Sequence, residues 1–171
     1  MIPENKYLTL FLISNALIIL DQFTKFMVTL NIPQNYSVGV ILNFFQLTHI
    51  RNSGVAFGLF ADYKAEYKVI FFIVFSTVAI IAILVIYHQT SKDKKVVLAG
   101  LILLFSGAVG NLIDRVLYHE VIDFLDFYYK NYHWPAFNIA DSCITIGVLM
   151  IMVDQFSKEE KSASQETASG N

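Results

Sequence analysis

The stretch from Val96 to Ile113, VVLAGLILLFSGAVGNLI, indicates the fold most clearly, because it holds no charged residue and Asp114 follows it at once. As an α-helix it would be about 27 Å long at 1.5 Å per residue, close to the ~30 Å hydrocarbon core of a bilayer. The run Val69–Tyr87 is also uncharged. Together with the apolar runs that begin at Tyr7 and at Ile139, these stretches predict four transmembrane helices, at about 8–29, 69–88, 96–114 and 139–156.

The composition agrees with an integral membrane protein. The chain has 171 residues, of which 56% are hydrophobic and 15% are charged, whereas soluble domains have roughly 25% charged residues. The net charge of −2 gives no basic character that would favour nucleic acid as a partner. We expect one membrane domain over residues 1–156, followed by a disordered tail over 157–171 that is rich in Ser, Glu, Lys and Ala.

Four spans put both termini and the short loop 89–95 on one side of the membrane, and the longer loops 31–68 and 115–138 on the other. The short loop contains Lys92, Lys94 and Lys95, and an excess of lysine marks cytoplasmic loops. The sequence therefore predicts cytoplasmic termini and places the two longer loops at the outer face.

Both outer loops have features of structure at the membrane surface. Two β-prone runs flank Asn52-Ser53-Gly54, the second being Val55–Phe60, and they predict a small hairpin. The loop 115–138 is rich in aromatic side chains, which favour the membrane–water interface. The predicted fold class is an all-α membrane protein with four transmembrane helices, a small β platform and an interfacial loop on the outer face.

Acidic residues at the ends of the apolar runs are the main candidates for function. Asp21, Asp114 and Asp141 all fall at the predicted outer end. A carboxylate at membrane depth costs roughly 2.5–3.5 kcal/mol on insertion scales, so it usually faces other protein groups or a water-filled cavity. Asp114 and Asp141 each follow an asparagine by three residues, on the same helical face. These asparagines could equally be hydrogen-bonded contacts between helices, and Asp123, in the outer loop, could be a solvated acid.

Other chemistries have little support in the sequence. No His, Cys and Glu cluster has the spacing of zinc ligands, and no Gly-x-Ser-x-Gly motif is present. Cys143, the single cysteine, lies about 200° around a helix axis from Asp141 and is interpreted as a packing residue. Neither a metal nor a cofactor is predicted.

Five short blocks, taken in order, resemble the lipoprotein signal peptidase family, also called signal peptidase II. The resemblance covers residues from about 15 to 153. The blocks are Asp21-Gln22-x-Thr24-Lys25, Arg51-Asn52-x-Gly54-x-Ala56-Phe57, Gly107-Ala108-x-Gly110-Asn111-x-x-Asp114-Arg115, Val121-Ile122-Asp123-Phe124 and Phe137-Asn138-Ile139-Ala140-Asp141-Ser142.

This resemblance implies an aspartic endopeptidase of the bacterial inner membrane that needs no cofactor. The implied substrate is a prolipoprotein carrying a diacylglyceryl-cysteine, cut just before that cysteine, with membrane lipids as the other partners. The catalytic pair of the family matches Asp123 and Asp141, and Asp114 is expected to have a structural role in an ion pair with Arg115. The residues expected to bind substrate or support the site are Asp21, Lys25, Asn52, Gly54, Asn111, Asp114, Arg115, Asn138 and Ala140.

Two other functions fit parts of the pattern. A small proton-coupled transporter would also need buried acids, but it predicts acids spread through the membrane depth. A membrane scaffold with polar contacts between its helices predicts that Asp-to-Asn changes are mild.

Overall fold

The computed structural model describes residues 5–54 and 65–169. Its four long helices are α1 (Lys6–Asn31), α2 (Ala65–Gln89), α3 (Lys95–Tyr118) and α4 (Ile139–Ser169). Each contains a segment that is long and apolar enough to cross a membrane. The four spans predicted from the apolar runs are therefore confirmed.

Helix α3 is the centre of the helical part, and it packs against α1, α2 and α4. Half of its apolar segment is buried, compared with 17% in α1 and 6% in α2. Glycine allows α3 and α4 to approach closely, since a methyl group on Gly100 would lie only 2.9 Å from the carbonyl oxygen of Gly147. Large apolar side chains such as Phe11 and Phe75 point outward, as expected for helix faces in contact with lipid.

The two long loops combine into one antiparallel sheet in the order β1-β2-β3-β4. Its strands are β1 (Ser37–Ile41), β2 (Phe45–Asn52), β3 (Val121–Tyr129) and β4 (Tyr132–His133). The loop 115–138, predicted to be an interfacial loop, thus supplies two strands. Aromatic residues favour β-structure as well as the membrane interface, so its composition fits both.

The β platform is confirmed, but its hairpin differs from the predicted one. The β1–β2 turn lies between Ile41 and Phe45, where Asn43 adopts a left-handed conformation with φ 58°, a geometry that asparagine tolerates better than most residues. Asn52 instead pairs with Val121 at the end of β2. The predicted second strand, Val55–Phe60, lies outside the described residues.

Helix α4 is longer than predicted, because it continues to Ser169 instead of ending near residue 156. It runs into the segment that the sequence predicts to be disordered. That segment contains Lys, Glu, Ala and Gln, which have high helix propensity, and no proline or glycine occurs before Gly170.

The sheet lies at the end of the helical part where α1 and α3 end and α4 begins. α3 ends at Tyr118, its C-cap His119 turns the chain with a left-handed φ of 63°, and β3 starts at Val121. Val28 of α1 and Ile32, the C-cap of that helix, form a buried apolar cluster with Phe124 of β3. This cluster fixes the sheet against the helices and brings the preceding residue in β3, Asp123, to the polar ends of α1, α3 and α4.

Candidate active site

Two carboxylates from different elements, Asp123 on β3 and Asp141 in the first turn of α4, are joined by one buried residue, Asn138. The Nδ2 atom of Asn138 donates to Oδ1 of Asp123 over 2.8 Å. The backbone N–H of Asn138 donates to Oδ2 of Asp141 over 3.3 Å. Asn138 is completely buried, so it holds the two acids in a fixed relation.

Asn138 has this position because it caps α4. Its Oδ1 accepts from the backbone N–H of Asp141 at 2.8 Å, which is the bond that an N-cap side chain makes with the third helical residue. Oδ2 of Asp141 in turn accepts from the backbone N–H of Asn138, so the two residues form a capping box. A carboxylate in the first turn is also favoured by the helix dipole. Local helix chemistry therefore sets the orientation of Asp141.

Asn111 approaches Asp141 from α3. Its Nδ2 donates to Oδ1 of Asp141 over 2.7 Å, while its Oδ1 accepts from the ammonium group of Lys25 at 3.1 Å. Since an ammonium can only donate, this contact fixes the amide orientation and directs the NH₂ group of Asn111 to the acid.

Asn52 and Gly54 support Asp123 from the end of β2. Nδ2 of Asn52 donates to Oδ2 of Asp123 over 2.8 Å. Oδ1 of Asn52 accepts from the backbone N–H of Gly54 at 2.8 Å, and Gly54 has a φ of 81°. This left-handed conformation suits glycine, so the turn that follows β2 holds the Asn52 side chain against the acid.

The pKa of Asp123 is raised from its ordinary value to about 6, and burial is the largest cause of the increase. The nearby charge of Asp141 also contributes to the increase, whereas the hydrogen bonds from Asn52 and Asn138 and the charge of Lys25 oppose it. An Asp123 carboxyl with this pKa can hold a proton close to neutral pH.

Beneath the two acids lies a buried ion cluster around Lys25. Its ammonium is 2.8 Å from Oδ2 of Asp21, one helical turn earlier on α1, and 2.9 Å from Oδ2 of Asp114 on α3. All three side chains are at most 2% exposed. The same acids also fix backbone next to the site, because Asp21 accepts from the N–H of Ala140 at 2.9 Å and Asp114 accepts from that of Ile122 at 3.2 Å. Ala140 directly precedes Asp141 and Ile122 directly precedes Asp123, so both hydrogen bonds fix the backbone beside the acids.

Close packing at Ala140 completes this support. Ala140 is buried, and Gly107 and Gly110 of α3 face it. A methyl group on Gly110 would lie 3.2 Å from Cβ of Ala140 and 2.7 Å from Oδ2 of Asp21. Small residues at these positions therefore let α1, α3 and α4 meet behind the acids.

The predicted ion pair between Asp114 and Arg115 is wrong. Within residues 5–54 and 65–169, Asp114 pairs with Lys25, because consecutive helical residues point about 100° apart. Nη1 of Arg115 donates to the carbonyl oxygen of Asn111 at 3.2 Å, and its guanidinium lies 5.3 Å from the ring centre of Phe72. Its charge still interacts with Asp141, Asp114 and Asp123.

Gln22 belongs to the first of the five sequence blocks but was not predicted as a site residue, and it lies beside the buried acids. Its Nε2 lies 2.9 Å from Oδ1 of Asp114, 3.1 Å from the carbonyl oxygen of Gly110 and 3.2 Å from Oδ2 of Asp21. The available signal was a polar amide beside Asp21 in an otherwise apolar run. The other predicted residues are all brought together around the two acids. In the part of the chain that the structure describes, no three His, Cys, Asp or Glu residues are arranged to hold a metal.

Comparison with known proteins agrees with this arrangement. The family model for signal peptidase (SPase) II matches residues 13–157. The chain belongs to the signal peptidase II family. It is 48% identical over 141 residues to a lipoprotein signal peptidase of Desulforapulum autotrophicum, covering 82% of this chain and 87% of that protein. It is 46% identical over 146 residues to the lipoprotein signal peptidase of Geobacter sulfurreducens, covering 85% and 90%.

A solved structure of a bacterial membrane enzyme has a similar fold, with a TM-score of 0.79 and 34% sequence identity over 90% of both chains. Membership of the signal peptidase II family makes the chain a protease of the aspartic type with several membrane spans. It gives no support to the transporter and scaffold alternatives.

Proposed function

We propose that this signal peptidase II cleaves diacylglyceryl-modified prolipoproteins just before the modified cysteine, and that Asp123 and Asp141 are its catalytic dyad. The observation that carries the assignment is the bridge through Asn138, which joins these two carboxyls at the junction of sheet and helices. The lipoprotein signal peptidases to which the chain is similar support the reaction.

The dyad provides both an acid and a base. Two carboxyls in one site resist double ionisation, so they share one proton. The ionised member takes a proton from water, whose oxygen attacks the scissile carbonyl, while the protonated member donates to the carbonyl oxygen. When the tetrahedral intermediate collapses, the C–N bond breaks and the dyad returns a proton to the leaving amine. The donated hydrogen bonds from Asn52 and Asn111 stabilise the ionised forms.

The site's position fits a substrate anchored in the bilayer. It lies where the apolar helices end and the sheet begins, so a peptide bond can reach it while the acyl chains of the substrate remain in lipid. We further propose that this end is the outer face of the bacterial inner membrane, with Lys92, Lys94 and Lys95 in the cytoplasm. The charge of Arg115 interacts with Asp114, Asp123 and Asp141, and we propose that Arg115 binds the substrate backbone.

The dyad is tested with purified protein and a diacylglyceryl-modified prolipoprotein. Asp123→Asn and Asp141→Asn should each reduce cleavage by at least roughly 100-fold, since each removes an acid–base group. Asp126→Asn is the matched control, because Asp126 is also buried on β3 but contacts Gln46 and His133. The control should retain most of its activity. Substantial cleavage by a folded Asp123→Asn or Asp141→Asn variant would remove that residue from the dyad.

The orientation is tested by labelling single cysteines in a Cys143→Ala background. Ser53→Cys and Asn131→Cys should react with a membrane-impermeant thiol reagent in intact spheroplasts, whereas Ser91→Cys should not. Labelling at Ser91 alone would reverse the proposed orientation.

A further inference from the structure

A groove opens at the end of the helical part opposite the dyad, between α1, α3 and α4. Its volume is about 630 Å³, and its walls include Ile13, Ile102, Leu103 and Met150. Ile102 follows Lys95, at the mouth, by seven residues, so the groove reaches about 10 Å along α3 from the polar end into the apolar span. A depression of this depth has room for part of an acyl chain.

The mouth of the groove is basic. Lys6, Lys92 and Lys95 line it together with one acid, Asp93. Lys6 uses its hydrogens within the protein, donating to the carbonyl oxygens of Tyr87, His88 and Thr90 at the end of α2 over 3.1, 2.8 and 2.9 Å.

The other two lysines are available to a ligand. Lys92 and Lys95 are exposed, and within residues 5–54 and 65–169 neither side chain forms an ion pair. The acid is engaged locally, since Oδ2 of Asp93 accepts from the Ser91 hydroxyl at 3.3 Å. The mouth therefore carries an excess of positive charge at the level of lipid headgroups.

We propose that this groove binds an anionic glycerophospholipid from the surrounding bilayer. One acyl chain lies along the apolar wall formed by α1 and α3, and the phosphate contacts Lys92 and Lys95. Basic pockets between transmembrane helices are suited to such headgroups. An anionic lipid is favoured over a zwitterionic one because the basic groups at the mouth outnumber the single acid three to one. The bound lipid stabilises the packing of α1 against α3, the two helices that carry Lys25 and Asp114.

The test measures lipid retention by the purified full-length protein, without substrate, so its outcome is independent of the proposed peptidase activity. The protein in detergent is incubated with equal amounts of phosphatidylglycerol and phosphatidylcholine that carry identical acyl chains, and native mass spectrometry counts the lipid retained. We expect roughly 25-fold enrichment of phosphatidylglycerol, about fivefold for each lysine near the headgroup. Lys92→Gln/Lys95→Gln should reduce the enrichment to within about twofold of none.

The matched control is Lys94→Gln/Lys130→Gln, which removes the same charge. Lys94 is in the same loop but does not line the groove, and Lys130 lies in the β3–β4 turn at the other end of the molecule. This variant should keep the enrichment of the unmodified protein. Equal retention of the two lipids by the unmodified protein, or an equal loss of preference in both double variants, would refute a specific site.

Discussion

Replacing Lys25 with methionine should strongly destabilise the protein. The change keeps the apolar stem but removes an ammonium that is 1% exposed and lies within 2.8 and 2.9 Å of two buried carboxylates. Removing one partner of a buried ion pair costs about 3–5 kcal/mol, because the remaining charge is left uncompensated. For a chain of this length each kcal/mol lowers Tm by about 2–4 °C, so we expect a decrease of about 10 °C.

The buried thiol of Cys143, 6% exposed, provides the assay. A thiol-reactive fluorophore reports unfolding of the purified protein in detergent as this side chain becomes accessible. Lys94→Met is the control, since Lys94 is exposed and forms no side-chain cap for α3. A Lys25→Met variant that melts within about 2 °C of the unmodified protein would refute the reasoning.

Asp114→Asn should lower Tm in the same assay by a smaller amount, because Lys25 keeps Asp21 as a partner. Its effect on cleavage should follow its effect on stability. If Asp114→Asn were well folded but inactive, and Asp123→Asn were active, the catalytic assignment would have to be exchanged.

Three further predictions concern the site and its surroundings. Asn52→Ala should move the alkaline limb of the kcat/KM profile to higher pH by about 1 pH unit, because the hydrogen bond from Asn52 lowers the pKa of Asp123 and its removal lets that pKa rise. An unchanged alkaline limb would exclude this contribution. Cys143→Ala should cleave normally, and chelators and serine- or thiol-directed reagents should not inhibit the unmodified enzyme; loss of activity in the folded variant would indicate thiol chemistry. Gly107→Leu should reduce the yield of folded protein in a detergent-solubilised gel-filtration assay, since a side chain there meets the backbone of Ala140, and a normal yield would show that α3 and α4 can separate.

Much of the candidate site could be predicted because its polar residues occur at the ends of apolar runs. Asn111 with Asp114, and Asn138 with Asp141, are three residues apart on a helix, so each pair shares a face whatever the rest of the fold does. The roles of the two pairs differ, however. Asn138 and Asp141 form a capping box at the start of α4, whereas Asn111 and Asp114 lie inside the last turns of α3 and reach other helices.

The amino-acid sequence by itself determined the four spans, their common polar end and the family, because hydropathy and short motifs are local properties of the chain. Only the tertiary structure decided that Asp123 lies on a strand and that Lys25 is the partner of Asp114. Strand β3 depends on pairing with β2, which is about 70 residues away along the chain. The ion pair between Lys25 and Asp114 joins α1 to α3. No local sequence pattern shows that Asp114 pairs with Lys25 and not with the adjacent Arg115. Such contacts depend on helix packing and strand register, which the whole chain establishes together.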